Sequence, residues 1–204
     1  MLSSIVLGGA LALALAVGYA FGKKTSAKKT EAVKPYAGRY VFCPGCANQL
    51  VEKDVEGKLR KTCESCGFVH WNNPLPVAVI LIPHRDGGFV FVKRKKNPRA
   101  GYFALPGGFV DPFESALAGA IREAKEETGL DIEIDRLLFT SSPPGVNEVL
   151  LFFLAKTVYE QPVAGDDAEL CVVSSLNSLP GEVAFQTHRQ AIIDYMHGIP
   201  PRVN

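Results

Sequence analysis

The strongest chemical signal in the sequence is a set of ionisable side chains between positions 114 and 127: Glu114, Arg122, Glu123, Glu126 and Glu127. They follow a glycine pair, Gly107–Gly108, in the stretch GGFVDPFESALAGAIREAKEETGL that ends at Leu130. Carboxylates are hard oxygen ligands, and a cluster of them suits Mg²⁺ or Mn²⁺. Like charges at Glu123 and Glu127, one turn apart, destabilise an ordinary helix. A divalent cation among them cancels that repulsion and can bridge phosphate oxygens. The competing account is a solvated acidic face supported by i,i+4 pairs such as Arg122–Glu126. That account gives no reason for the glycine pair or for Glu114. With no side chain at 107 and 108, the backbone can approach a phosphate or an ion closely.

These residues need a helix to position them. Asp111 as N-cap, Pro112 at the first helical position and Glu114 at the third predict its start. Gly129 predicts its end, in a left-handed conformation. At about 100° per residue the three glutamates share one side. Phe113, Leu117, Ala120, Ile121, Ala124 and Thr128 form the neighbouring, mostly apolar stripe, which can bury itself while the carboxylates stay outside it.

The pattern Gly108, five residues, Glu114, seven residues, then Arg122-Glu123-Ala124-x-Glu126-Glu127-x-Gly129-Leu130 resembles the Nudix box, the signature of the Nudix hydrolases. Every fixed position is present. Ala124 is small for an aliphatic position, and Phe113 stands where many members carry glycine. The resemblance implies an α/β fold, the Nudix sandwich of a mixed sheet between helices. It also implies metal-dependent hydrolysis of the pyrophosphate bond in a nucleoside diphosphate linked to another moiety. By the same resemblance Glu123, Glu126 and Glu127 hold Mg²⁺ or Mn²⁺, Arg122 orients them, and Glu114 supports the loop and the metal shell. Related enzymes place a further metal ligand or base near the position of Glu169, so the general base lies between Glu169 and a box glutamate. Otherwise Glu169 is a surface carboxylate beside Asp166 and Asp167.

A second constellation is Cys43-Pro-Gly-Cys46 followed, 16 residues on, by Cys63-Glu-Ser-Cys66. Two such pairs have the spacing of a four-cysteine zinc site, and four thiolates close the coordination, so the zinc is structural. Two disulfides would require an oxidising compartment. Turn residues Glu56-Gly57 predict a small hairpin from Gln49–Glu52 and Lys58–Lys61. His70 lies outside the full ligand set, and Cys171 reads as core. The ribbon is assigned residues 39–72. Its place directly before the box domain, with Asn-Pro at the junction, is similar to the NADH pyrophosphatase branch. The loop Ser141-Ser142-Pro143-Pro144-Gly145 departs from that branch's Ser-Gln-Pro-Trp-Pro-Phe-Pro segment. An apolar segment also stands in place of the branch's extra leading domain. These departures weigh against NADH as the substrate and leave ADP-ribose, FAD and related nucleoside diphosphate compounds open.

Residues 1–22 contain no charged side chain after the start and are mostly Leu, Ala, Gly and Val. About 20 such residues can cross a bilayer as a helix. The lysines that follow predict a single-pass anchor that keeps the rest of the chain in the cytoplasm. A cleaved signal or an organelle-targeting segment is the alternative. Residues 23–38 read as a basic linker, near a membrane surface or as a plain spacer. Small residues every four positions, Gly8 to Ala20, would allow helix pairing and a homodimer.

Residues 73–204 are assigned to the Nudix domain. Expected strands are Val77–Ile82, Phe89–Lys93, Ile132–Ile134, Leu137–Thr140, Val149–Ala155 and Leu170–Val173, with a helix over His188 to Met196. The run Lys93-Arg94-Lys95-Lys96 is a solvated strand end or, through Arg94, a contact to substrate phosphates. The 204-residue chain has a formal net charge of +1 and so no global attraction to nucleic acid. The sequence admits two other functions. One is a membrane-tethered nucleotide sensor without hydrolysis. The other is nucleic-acid or partner binding by the ribbon, which lacks an obvious basic-aromatic face although Arg60, Lys61, Phe68 and Trp71 are nearby.

Overall fold

The structure, a computed structural model, describes residues 40–165 and 167–199. The expected anchor and linker, residues 1–22 and 23–38, lie outside the described residues, as does Asp166. No helix among the described residues is long and apolar enough to cross a membrane.

The cysteine-bearing unit is a three-stranded antiparallel sheet of β1 (Val51–Val55), β2 (Lys58–Thr62) and β3 (Val69–His70), in that order. The β1–β2 turn is at Glu56-Gly57, as expected, with φ values of 55° and 75° that suit a tight hairpin.

Beyond it come β4 (Leu75–Leu81), β5 (Phe89–Arg94), β6 (Phe103–Ala104), β7 (Gly107–Phe109), α1 (Ala116–Thr128), β8 (Ile134–Ser141), β9 (Glu148–Ala155), β10 (Ala168–Ser174) and α2 (Gln186–Met196). One sheet has the order β7-β4-β9-β8, with β4 parallel to β9 and the other pairs antiparallel. The sheet is therefore mixed. An antiparallel sheet β10-β5-β6 stands beside it.

Strand β4 is apolar at consecutive positions because both of its faces are covered. Ala78 and Ile80 pack with Ala120 and Ala124 of α1. Val79 and Leu81 pack with Ala191 and Ile192 of α2. Strand β9 divides the same way, Phe153 and Ala155 towards α1 and Phe152 and Leu154 towards α2. This is the expected α/β sandwich.

Three local expectations are corrected. The helix starts later than Asp111-Pro112 suggests: Ser115 is the N-cap, its hydroxyl accepting from the Ala118 N–H at 3.1 Å. Asp111 and Glu114 instead close the preceding turn, the Asp111 N–H donating to Glu114 Oε1 at 2.7 Å. The apolar stripe is also narrower, since Phe113 and Leu117 are exposed and burial falls on Ala120, Ala124 and Thr128. Finally, the two short strands expected after the helix are one strand, β8. Its two register shifts break the alternation and make it read as two pieces.

Candidate active site

The glycine pair is an edge strand. Gly107 and Gly108 pair with Val79 and Ala78 of β4. A Cβ at Gly107 would lie 2.2 Å from the Ala78 carbonyl oxygen, so only glycine allows this pairing. A Cβ at Gly108 would lie 2.4 Å from the Glu123 carboxyl carbon, so the space that glycine leaves is filled by that carboxylate. The preceding backbone is pinned from the far layer: the buried His188 accepts from the Leu105 N–H through Nδ1 at 3.2 Å. Burial pushes His188 down to about 3, so it stays neutral and able to accept.

Helix α1 ends where the sequence expects. Gly129 has φ 70°, and its N–H donates to the Lys125 carbonyl at 2.9 Å. The loop after β9 satisfies the remaining carbonyls. The Gly165 N–H donates to Glu127 O at 3.0 Å and the Val163 N–H to Thr128 O at 2.8 Å. Gly165 is obligatory there, because a Cβ would meet the Glu126 carbonyl oxygen at 1.7 Å. Nothing in the sequence pattern signals this close approach.

Arg122 ties the acidic cluster together. Its Nε and Nη2 grip Glu114 at 3.2 and 2.6 Å, and Nη1 donates to Glu123 at 2.8 Å and Glu126 at 3.0 Å. Nη2 also donates to the Phe109 carbonyl at 3.0 Å. This fork holds the Glu114 carboxyl below the usual carboxylate range. Phe113, in the turn before the helix, has φ 71° and is fully exposed. That backbone conformation favours glycine and explains the family preference noted above.

Glu127 differs from the other three. It makes no ion pair among the described residues, and Oε2 accepts from the Gly107 N–H at 2.9 Å. Burial pushes its carboxyl up to about 7, and the neighbouring Glu123 adds to the rise. Burial raises Glu123 as well, against the pull of Arg122. Glu126 is exposed. Two carboxyls half-sheltered side by side, next to a glycine strand, fit a hard divalent cation, which would offset their desolvation and repulsion. The three glutamates do not themselves converge. Among the described residues, the only group of three or more ligand atoms within 4.8 Å of one another is the cysteine cluster.

Arg94 and Glu169, far apart in sequence, come together on paired strands. Arg94 is opposite Ala168, and a register shift between Ala168 and Leu170 places Glu169 in a bulge. Glu169 is bound by Lys93 at 2.8 Å, and Asp167 by Lys96 at 2.5 Å. The basic run is thus partly latched to the acidic loop rather than solvated. Arg94 donates to the Pro98 carbonyl at 2.9 Å, and its charge pulls the Glu127 carboxyl downward. Cys171 donates to Glu127 O at 3.3 Å, and burial pushes its thiol up to about 11, consistent with a packing role.

At the ribbon, Cys43, Cys46, Cys63 and Cys66 bring their sulfurs within 4.8 Å of one another, with separations of 3.5 Å for Cys43–Cys66 and 3.4 Å for Cys46–Cys63. All four are free thiols. Two matching turns present them: Ala47 N–H donates to Cys43 O and Gly67 N–H to Cys63 O, each at 2.9 Å. Zn–S bonds of about 2.3 Å give tetrahedral edges of about 3.8 Å, close to these spacings. His70 packs against Tyr40 in a tilted ring pair, with centroids 4.3 Å apart, and takes no part.

The NUDIX domain family model matches residues 74–193. An ADP-ribose pyrophosphatase of Methanocaldococcus jannaschii is 41% identical over 124 residues, 59% of this chain and 72% of the relative. A NAD-capped RNA hydrolase, NudC, of Stutzerimonas stutzeri is 24% identical over 165 residues. That match takes in 79% of this chain but only 56% of the relative's length. A crystal structure of a NUDIX hydrolase from Nitrosomonas europaea superposes with a TM-score of 0.70 at 25% identity, covering 79% of this chain and 96% of that one.

Proposed function

The chain belongs to the NUDIX domain family of hydrolases, and from that premise we propose that it cleaves the pyrophosphate bond of ADP-ribose-type substrates, with NAD-linked compounds as the alternative class. The observation that carries this reading is the placing of the Glu123 and Glu127 carboxyls against Gly107–Gly108. The substrate class is supported by the similarity to the Methanocaldococcus ADP-ribose pyrophosphatase. The alternative class is supported by the similarity to NAD-capped RNA hydrolases.

Glu123, Glu126 and Glu127 would hold Mg²⁺ or Mn²⁺. When bound, such an ion supplies charge neutralisation at the phosphates and lowers the pKa of the attacking water. The chain's own residues do the rest. Arg122 fixes Glu114, Glu123 and Glu126 in one orientation. The Gly107 N–H holds Glu127 through Oε2 and leaves Oε1 directed by that bond. Gly108 keeps the strand surface clear beside Glu123. Arg94, whose charge acts on Glu127, would meet substrate phosphate. Glu169, re-aimed by its bulge, would take the proton from the attacking water after Lys93 is displaced, since bulges commonly redirect side chains beside active sites. Replacing Glu169 with Gln should then lower kcat about a hundredfold or more with little change in KM. An unchanged kcat returns that role to a box glutamate.

We further assign the four cysteines to structural Zn²⁺, residues 39–72 to the ribbon and residues 73–204 to the catalytic domain. Residues 1–22 are proposed as a membrane anchor that leaves both units in the cytoplasm. Deleting residues 1–22 should move the protein from the membrane fraction to the soluble one, and no movement would sink the anchor. For the activity, the full chain is incubated with Mg²⁺ or Mn²⁺ and ADP-ribose, NADH, FAD and nucleoside triphosphates, and mononucleotide release is measured. Release of AMP from ADP-ribose is expected. Tight binding of a nucleotide without turnover would favour a sensor instead.

A further inference from the structure

The ribbon carries a concave site that neither the cysteine cluster nor α1 uses. At its edge, where the chain crosses to β4, lies a cleft of about 370 Å³ lined by Lys58, Arg60 and Lys61 of β2, His70 of β3, and Trp71. The Arg60 guanidinium lies over the Trp71 ring, 4.7 Å from its centroid, and Nη1 donates to the Trp71 carbonyl at 2.6 Å. The Asn147 amide braces the next residues, donating to Asn72 O, Asn72 Oδ1 and Asn73 O at 3.3, 3.2 and 3.1 Å.

Two features set this cleft apart. Arg60 Nε and His70 Nε2 are buried with no hydrogen-bond partner among the described residues. Native proteins rarely leave buried polar atoms unmatched, and an ordered water, or a ligand met after a small shift of these side chains, would supply the partner. The charge is also unbalanced. The one carboxylate in the lining, Glu52, sits 3.4 Å from Lys61, and no carboxylate among the described residues pairs with Lys58 or Arg60. A cationic cleft with an arginine–indole stack on one wall suits a ligand that is anionic at one end and flat at the other. Bases stack on aromatic rings and on guanidinium planes, and Arg and Lys take the phosphate.

We propose that this cleft binds a nucleoside phosphate, with the phosphate on Lys58 and Arg60 and the base stacked on the Arg60–Trp71 pair. The cleft is large enough for one such unit. The unit can be a free nucleotide or one nucleotide of a single-stranded RNA, since both present the same phosphate and base. The site is independent of the carboxylate helix and does not rest on the hydrolytic reading.

Trp71 is the only tryptophan in the chain, so its fluorescence reports the cleft directly. The full chain, with no divalent metal added, is titrated with AMP, with a short single-stranded oligoadenylate and with inorganic phosphate. A saturable change with AMP or the oligomer is expected, and a much weaker one with inorganic phosphate. Tighter binding of the oligomer than of AMP identifies RNA as the source, and equal binding identifies the free nucleotide. Lys58→Ala removes an exposed side chain and should weaken binding roughly tenfold, a loss of about 1.4 kcal/mol. Arg60→Ala should abolish it, while Glu127→Gln leaves it intact. No saturable change with either nucleotide ligand would overturn the proposal, as would a change that survives Lys58→Ala but disappears in Glu127→Gln. Inorganic phosphate binding as tightly as AMP would overturn the stacking of the base.

Discussion

Glu127→Gln separates the cost of the candidate site from its use. The Glu127 carboxyl has a pKa of about 7 in the folded protein against 4.5 ordinarily, mainly because it is buried. Between those values the folded protein keeps a proton that the unfolded chain has released. Stability contributed by this group is therefore full below about pH 4.5 and is lost as pH rises through about 7. At about 1.36 kcal/mol per pH unit, the charged form costs the fold about 3 kcal/mol above neutrality. Glutamine mimics the protonated acid, and its amide oxygen can still accept from the Gly107 N–H. Without divalent metal the variant should be more stable than the parent by about 3 kcal/mol at about pH 8, with the gain vanishing near pH 4.5. In urea this is a midpoint higher by about 1–2 M for an m value near 2 kcal/mol/M. Mg²⁺ at millimolar concentration should stabilise the parent and narrow the gap. A variant no more stable than the parent at high pH would rule out a destabilising buried charge at Glu127. So would a gain of equal size at both pH values, which would indicate packing rather than charge.

The two glycines of β7 should fail differently. Gly107→Ala drives a Cβ into the Ala78 backbone and should cost stability, by about 2 kcal/mol or more on thermal unfolding, before it costs activity. Gly108→Ala meets the Glu123 carboxyl first, rather than backbone, and would push it off Arg122, so kcat should fall at least about tenfold with a smaller loss of melting temperature than in Gly107→Ala. Phe113→Gly removes a fully exposed ring from a φ of 71° and should stabilise the fold by about 1 kcal/mol, read by urea unfolding. Elemental analysis should find one zinc per chain, and stripping it with a strong chelator should unfold β1–β3 as seen by hydrogen exchange. Finding no zinc, with the cysteines paired as disulfides, would reverse the ribbon assignment.

The carboxylate helix and the cysteine turns were legible because their spacing is local. A helix repeats every 3.6 residues, and each cysteine pair closes within one turn. The buried strands β4, β5 and β9 were legible as continuous apolar runs for the same reason. What escaped were features set by distant partners. Strands β6 and β7 are too short to show a period, and β7 exists only because β4 accepts glycine at close range. The cap moved to Ser115 because Asp111 and Glu114 are engaged with each other and with Arg122. Phe113 and Leu117 look like core in the pattern, yet no element among the described residues covers them. Gly165, His188 and the bulge at Glu169 touch the site through contacts 38 to 83 residues away in sequence, which no local pattern encodes.

Helix α1 is proposed to serve a metal-dependent pyrophosphatase. The most direct measurement is AMP release from ADP-ribose by the full chain, with and without Mg²⁺ or Mn²⁺, in the parent and in Glu127→Gln. Turnover should require the metal and fall by orders of magnitude in the variant while the fold remains intact. Turnover at the parental rate in Glu127→Gln, or none by the parent with any pyrophosphate substrate and either metal, would contradict it.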